Sequence, residues 1–221
     1  GVAVPHGIVS ISPTATSPAL SDVRDNGLFF RTAPSDARQG EVLAKVLTRK
    51  DIRRVALTYT HNEYGKGLAD SFARAFEALG GEIAVTLPHT DNMADYTAEV
   101  GTLAASGAEV LAVAGYADQG GRAIVQASLD LGAFDRFVFP DGMVAESLVA
   151  EFGNDLNGAI GTLPGSDTAR TKAFEAMLAE AGISGQAPYR GEAYDAAALL
   201  ALAMQAAGST DGAAVSAAMK D

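Results

Sequence analysis

Two groups of residues have the types and spacing to do chemistry. The first is the stretch Ile11-Ser12-Pro13-Thr14-Ala15-Thr16-Ser17-Pro18, which gathers Ser and Thr hydroxyls directly after a short apolar run, Ile8 to Ile11. A turn of this kind presents hydroxyl oxygens and backbone N–H groups at one point, which suits the carboxylate or amine of a small ligand. Thr14, Ala15 and Thr16 lie at its centre. The second group is dispersed. Tyr64 (in His61-Asn62-Glu63-Tyr64-Gly65), Tyr116 (in Gly115-Tyr116-Ala117-Asp118) and Asp141 (in Pro140-Asp141-Gly142) each follow an apolar run. A tyrosine offers an apolar wall and a hydroxyl. A partly desolvated aspartate needs a cationic partner, and a ligand ammonium would be one, in a charge-assisted bond of about 1.5–3 kcal/mol.

The same residues have purely structural readings. Thr14, Thr16 and Ser17 are good caps for a following helix, Tyr64 suits the core end of a helix, and Pro-Asp-Gly is a common turn sequence. Asn62 and Asp118 read as caps. Local sequence leaves these alternatives open.

The elements that must position these residues follow an α/β rhythm. Strands are expected at 54–60, 82–87, 109–114 and 136–139, with centres recurring about every 27 residues, close to one strand plus a crossover helix. Their near-continuous apolar runs suit parallel strands covered on both faces. Between them lie amphipathic helices, with stripes at Leu68, Phe72, Phe76 and Leu79, at Tyr96, Val100 and Leu103, and at Ile124, Ala127 and Leu131. An earlier helix starts at Asp36, read as its N-cap, and carries Val42, Val46 and Leu47. Phe30-Arg31-Thr32-Ala33-Pro34-Ser35-Asp36 reads as an extended strap before it. The final third is helical: one helix over 167–180 with Phe174, Met177 and Leu178 buried, a second over 191–207 whose Ala/Leu content implies deep burial, and a short third capped by Ser209-Thr210-Asp211. In such a sheet ligands bind beyond the carboxyl ends of the strands, where Tyr64, Tyr116 and Asp141 fall.

Composition narrows the function classes. The 221 residues carry a formal net charge of −11, so no phosphate-neutralising surface is expected and nucleic acid is excluded as a partner. The one dense basic cluster, Arg49-Lys50 and Arg53-Arg54, reads as a solvated corner between a helix and a strand. There is no cysteine, hence no thiol catalysis, cysteine-based zinc site or disulfide. His6, His61 and His89 show no metal-binding spacing, and no catalytic residue, metal or cofactor is expected. No apolar run is long enough to span a membrane, and residues 1–10 do not read as a signal peptide. Gly65-Lys66-Gly67-Leu68-Ala69-Asp70 resembles part of a dinucleotide fingerprint, but Asp70 would oppose a pyrophosphate. Glycines easing a tight strand-to-helix turn explain it better.

The motifs taken together resemble the type I periplasmic binding proteins, specifically the leucine/isoleucine/valine-binding family of bacterial ABC importers. The likeness rests on Ile11–Pro18, on Phe30–Asp36 with Gln39-Gly40, on Tyr64-Gly65-Lys66-Gly67-Leu68, Ala114-Gly115-Tyr116 and Pro140-Asp141-Gly142, and on Tyr194-Asp195-Ala196. It implies an α/β chain with one three-layer αβα lobe built on a parallel sheet and an incomplete first lobe. Residues 1–31 would be a first-lobe fragment, 32–163 the complete second lobe and 164–221 first-lobe helices. It also implies a ligand-binding set of Thr14, Ala15 and Thr16 for a carboxylate, Asp141 for an ammonium, and Tyr64 and Tyr116 as aromatic walls. The implied function is non-enzymatic, periplasmic binding of a small aliphatic amino acid between the lobes, followed by delivery to an inner-membrane ABC permease. Relatives often carry Glu at the position of Asp141. The family's opening βα stretch and closing strands have no counterpart among these residues, so this chain is expected to bind ligand weakly or not at all without them. A sensor domain of the same fold and a nucleotide-dependent enzyme built on the Gly65 turn are the rival expectations.

Overall fold

The structure is a computed structural model that describes residues 2–165, 168–184 and 187–220. In chain order it contains β1 (Ser10–Ser12), β2 (Phe29–Arg31), α1 (Asp36–Arg49), β3 (Arg54–Thr60), α2 (Glu63–Ala78), β4 (Glu82–His89), α3 (Thr97–Ala104), β5 (Val110–Ala114), α4 (Gly120–Asp130), β6 (Phe137–Phe139), α5 (Glu146–Phe152), β7 (Ile160–Gly161), α6 (Ala169–Glu180), α7 (Arg190–Ala207) and α8 (Gly212–Ala218). The chain divides into two compact units, one of residues 35–163 and one of residues 1–34 with 164–221.

The unit of residues 35–163 is a five-stranded parallel sheet in the order β4-β3-β5-β6-β7 with helices on both faces. Alternation along each strand explains the layering, because successive side chains point to opposite faces. Val55 and Leu57 of β3, Val110 and Ala112 of β5 and Val138 of β6 join Leu43, Leu47, Leu68, Phe72 and Phe76 of α1 and α2. Their neighbours Ala56, Leu111, Val113, Phe137 and Phe139 join Val100, Leu103, Ile124, Val125 and Leu148 on the other face. Phe72 and Phe76 stack at 5.4 Å between ring centroids.

Local chemistry sets the helix ends. Ser35, not Asp36, caps α1, with its hydroxyl accepting from Ala37 N at 3.3 Å. Asp36 instead lies one residue inside the helix, where its charge favours the positive end of the helix dipole. Asn62 caps α2 as expected, accepting from Gly65 N at 2.9 Å. Asp118 is not a cap, because α4 begins two residues later with Gln119 at its N-cap. Pro88 is tolerated within β4 because that strand lies at the sheet edge, where a missing N–H breaks no ladder. The two-residue β7 is too short to show a periodicity. The basic corner is neutralised locally, with Arg53 paired to Asp51 at 2.8 Å, and Arg54 to Glu82 and to the Ser106 carbonyl.

In the other unit, β1 and β2 form a parallel pair with Ile11 opposite Phe30. Thr32 Oγ1 donates to the Glu192 carbonyl at 2.8 Å, and Ser216 Oγ to the Gly27 carbonyl at 2.5 Å. Asp211 caps α8 through two bonds of 3.1 Å, to Ala213 N and Ala214 N. Asp167, the expected start of the preceding helix, lies outside the described residues; Thr168 is the N-cap of α6. The burial expected of the C-terminal helices is not found. No residue of α6 is fully buried, and Met177 is exposed. In α7 only Ala196 and Ala203 are buried, while Leu202 is 62% exposed. Apolar content marks what a helix can bury; a two-stranded sheet offers little surface for it to be buried against.

Phe76 is fully buried between α1, α2 and the sheet. Phe76→Ala should therefore cost about 3–5 kcal/mol, read as a lowered urea midpoint for the unit of residues 35–163.

Candidate functional site

Parallel register brings the candidate residues of residues 35–163 to one edge. Tyr59 of β3 pairs with Ala114 of β5, and Ala112 with Val138 of β6, so the three strands release their chains at the same end of the sheet. Tyr64 stands in the first turn of α2, Tyr116 in the turn from β5 to α4, and Asp141 at the start of the 3-10 turn Asp141–Met143 that comes next after β6.

These three side chains meet. The rings of Tyr64 and Tyr116 stack with centroids 5.0 Å apart and planes 27° from parallel. Tyr64 OH donates to Asp141 Oδ1 at 3.2 Å and accepts from Gly142 N at 3.3 Å, so its proton and a lone pair are both engaged. Ala117 N donates to the Gly142 carbonyl at 2.9 Å, tying the Tyr116 turn to the Asp141 turn. Position 142 has room only for glycine: a Cβ there would run into the Gly115 carbonyl oxygen, lie 2.9 Å from Tyr64 OH and 3.2 Å from the Tyr116 ring. Asp141 is 6% exposed.

The electrostatics of this edge are one-sided. Burial raises the Tyr64 phenol far above the usual tyrosine range, and the Asp141 and Asp36 carboxylates add to the effect. Burial also raises Tyr116; a hydrogen bond with Asn62 opposes the shift, and Asp141, Asp91 and Asp36 reinforce it. Three carboxylates thus act on two neutral phenols, a field that favours a cation at this edge and disfavours a second anion. Asp36 and Asp91 were not anticipated in this role. Asp36 carried the sequence signal of a cap, yet it is 1% exposed, and burial of a carboxylate is a tertiary property.

Thr14, Ala15 and Thr16 belong to the other unit. There the hydroxyl turn differs from expectation in one respect. Thr14 N and Ala15 N are not free for a ligand, because Ser12 Oγ accepts from both, at 3.3 and 3.1 Å. Thr14 is exposed and Thr16 is 4% exposed. Arg31 holds the turn from behind, donating to the Ser17 carbonyl at 2.8 Å, to the Ala15 carbonyl at 3.4 Å and to Ser21 Oγ at 2.6 Å. Ser12 and Arg31 are the supporting residues that sequence reasoning passed over. Ser12 carried a signal, since a Ser followed by Pro and Thr is a standard start for a hydroxyl-closed turn.

The Gly65 turn does not form a phosphate cradle. Gly65 and Gly67 lie inside α2, and a Cβ at Gly65 would strike the Thr60 backbone, so the glycine serves the tight strand-to-helix corner. Among the described residues, no cluster of three or more His, Asp or Glu could hold a metal ion, and no helix is long and apolar enough to cross a membrane.

A family model described as periplasmic binding protein matches residues 1–221. The chain belongs to that family. Its members bind solutes and are not enzymes. Among curated relatives, Leu/Ile/Val-binding protein homolog 3 of Brucella melitensis is 33% identical over all of this chain and 62% of the relative. The chain therefore spans under two thirds of that protein's length. A leucine-binding protein, LivK of Thermotoga maritima, shares the fold with a TM-score of 0.83 at 21% identity, over 99% of this chain and 63% of that one. An ABC transporter substrate-binding protein of Desulfitobacterium hafniense, solved in complex with Leu, is 28% identical with a TM-score of 0.73, over 99% of this chain and 63% of that one.

Two outcomes test this geometry. Gly142→Ala should separate the stacked phenols and cost about 1–3 kcal/mol, seen as a reduced near-UV tyrosine dichroism and a lower melting temperature. Both phenols titrate above their unfolded-state value, so the stabilisation from keeping them protonated is complete below about pH 10 and is lost as the pH rises past it. In an absorbance titration, Tyr64→Phe should remove a tyrosine that ionises only as the fold is lost.

Proposed function

We propose that this chain is the ligand-binding part of an extracytoplasmic, periplasmic solute-binding protein that takes a small aliphatic amino acid and hands it to an inner-membrane ABC permease. The buried Asp141 carboxylate beside the Tyr64–Tyr116 stack carries the reading. A ligand ammonium is the partner this edge suits best: it would meet Asp141 directly, a charge-assisted bond in a desolvated setting, with the negative field of Asp36 and Asp91 behind it. The phenol rings would supply an apolar wall and exclude water. The carboxylate end of the ligand is assigned, on the family resemblance, to the Thr14–Thr16 turn. With Thr14 N and Ala15 N engaged by Ser12, the Thr14 and Thr16 hydroxyls become its donors in this proposal. The names of the relatives, which specify Leu, Ile and Val, support an aliphatic side chain.

The ammonium requirement is what separates this reading from a site for simple carboxylic acids. An acid without an amine would bring a second negative charge to Asp141 and gain nothing from it.

The test is titration, on a form of the protein that supplies the family's opening βα stretch and closing strands, with L-leucine against isocaproate, which has the same carbon skeleton without the amine, followed by calorimetry or by the amide shifts of Ala117 and Gly142. L-leucine should bind in preference to isocaproate. Asp141→Ala should weaken L-leucine by about 3–5 kcal/mol, the cost of leaving a buried charge without its partner. Equal binding of the two ligands, or an unchanged affinity in Asp141→Ala, would refute the proposal.

A further inference from the structure

A buried histidine stands under the turn that carries Tyr116. His89 ends β4 and is 1% exposed. Its Nδ1 lies 2.9 Å from Thr58 Oγ1, and that hydroxyl also lies 2.9 Å from the Leu87 carbonyl oxygen. We assign the single proton of Thr58 to that carbonyl, which can only accept. The hydroxyl then accepts from the ring, the hydrogen sits on Nδ1 and Nε2 carries a bare lone pair. Nε2 is buried with no hydrogen-bond partner. Asp91 Oδ1 stands 3.7 Å from it, too far for a bond.

Asp91 and the ring together support the 115–120 turn. Asp91 Oδ1 accepts from Gly120 N at 3.2 Å, and its other oxygen accepts from the Thr60 hydroxyl. Both ends of the turn press on the pair. A Cβ at Gly115 would sit 3.0 Å from His89 Nε2, and one at Gly120 would sit 3.0 Å from Asp91 Oδ1 and 2.6 Å from Tyr96 OH.

We propose that His89 is a proton-sensing positioning residue for Tyr116. A proton taken from solvent at Nε2 makes an imidazolium that draws Asp91 Oδ1 onto the ring and off Gly120 N. The 115–120 turn then loses its anchor, and with it the stack that Tyr116 makes on Tyr64.

The surroundings fix the direction in pH. The titratable groups on the packed elements are Asp91 after β4, His61 after β3, whose amide donates to the His89 carbonyl at 3.0 Å, Tyr96 and Glu99 at α3, and Tyr116 and Asp118 in the turn. Burial holds the imidazole below its usual range, against the pull of Asp91 and then Glu99. Tyr96 meets the ring edge-on at 6.3 Å and spends its proton on the Thr90 carbonyl at 2.7 Å. With the folded value below the unfolded one, the anchored turn is fully favoured above about pH 6.5 and is lost as the pH falls through the folded value.

The structural step stands without a ligand; its effect on binding rests on the proposed function. Amide-exchange protection of Ala117, Gly120 and Gly121 is measured by NMR from about pH 7.5 to 5, with L-leucine affinity measured at the same pH values on the form that supplies the family's opening βα stretch and closing strands. In the wild type, protection of Gly120 should fall at least about ten-fold over this range, a coupling of about 1.4 kcal/mol, and leucine affinity should fall with it. His89→Gln should make both independent of pH. Asp91→Asn, which keeps an acceptor for Gly120 but removes the charge, should do the same and serves if the first variant does not fold. A flat wild-type protection profile, or the same pH dependence in wild type and a folded variant, would overturn the proposal. Loss of leucine binding at every pH with the Gly120 pattern intact would refute the ligand assignment and leave the switch standing.

Discussion

Burial of the parallel sheet on both faces is the constraint from which the unit of residues 35–163 follows. Val55, Leu57, Val110, Ala112 and Val138 fill one face, and Ala56, Leu111, Val113, Phe137 and Phe139 the other. No polar side chain can enter those faces without a partner, since an unbonded buried polar group costs about 1–3 kcal/mol. Polar chemistry is pushed to the strand ends, where backbone groups and turns can satisfy it. Thr58, Thr60 and His89 Nδ1, buried toward that end, bond to one another, to the Leu87 carbonyl or to Asp91, while His89 Nε2 is left without a partner.

At that edge the turns are fitted to one another by backbone contact. Gly142 lies against the Gly115 carbonyl and the Tyr64 hydroxyl; Gly120 lies against Tyr96 and Asp91. Glycine at these points lets three separate βα connections close into one polar surface. The resulting arrangement has an order to it. Asp141 and the two phenols form its outer layer, and Thr58, His89 and Asp91 form a layer behind the Tyr116 turn. A change behind can reach the front because the turn bridges both layers through a few bonds of about 3 Å.

The remaining residues obey the same physics with less to work on. A two-stranded parallel pair and three helices bury Leu28, Ala33, Ala196, Ala203 and Val215, but leave Leu199, Leu202 and Tyr194 exposed. Its order comes from specific polar ties: Arg31 on the hydroxyl turn, Thr32 on the Glu192 carbonyl, Ser216 on the Gly27 carbonyl.

Much of this was legible in the chain alone, and the division follows the range of the interactions. Strands β3 to β6 and the helices between them are written in local periodicity, because a side chain's face is set by its position within a strand or helix. The family, and Tyr64, Tyr116 and Asp141 as its candidate residues, could be read from short motifs in order. What depends on which single hydrogen bond forms, or on neighbours distant in sequence, was not legible. Ser35 rather than Asp36 caps α1, since capping turns on a single hydrogen bond. Ser12 takes the N–H groups of Thr14 and Ala15, and the Ala/Leu-rich α7 stays open, since burial needs a second surface. His89 read as an unrelated histidine; its contact with Thr58 and its position under the Tyr116 turn come from sheet order. Residue type and spacing determined which groups could act, and tertiary structure alone decided which were buried, paired and facing one another.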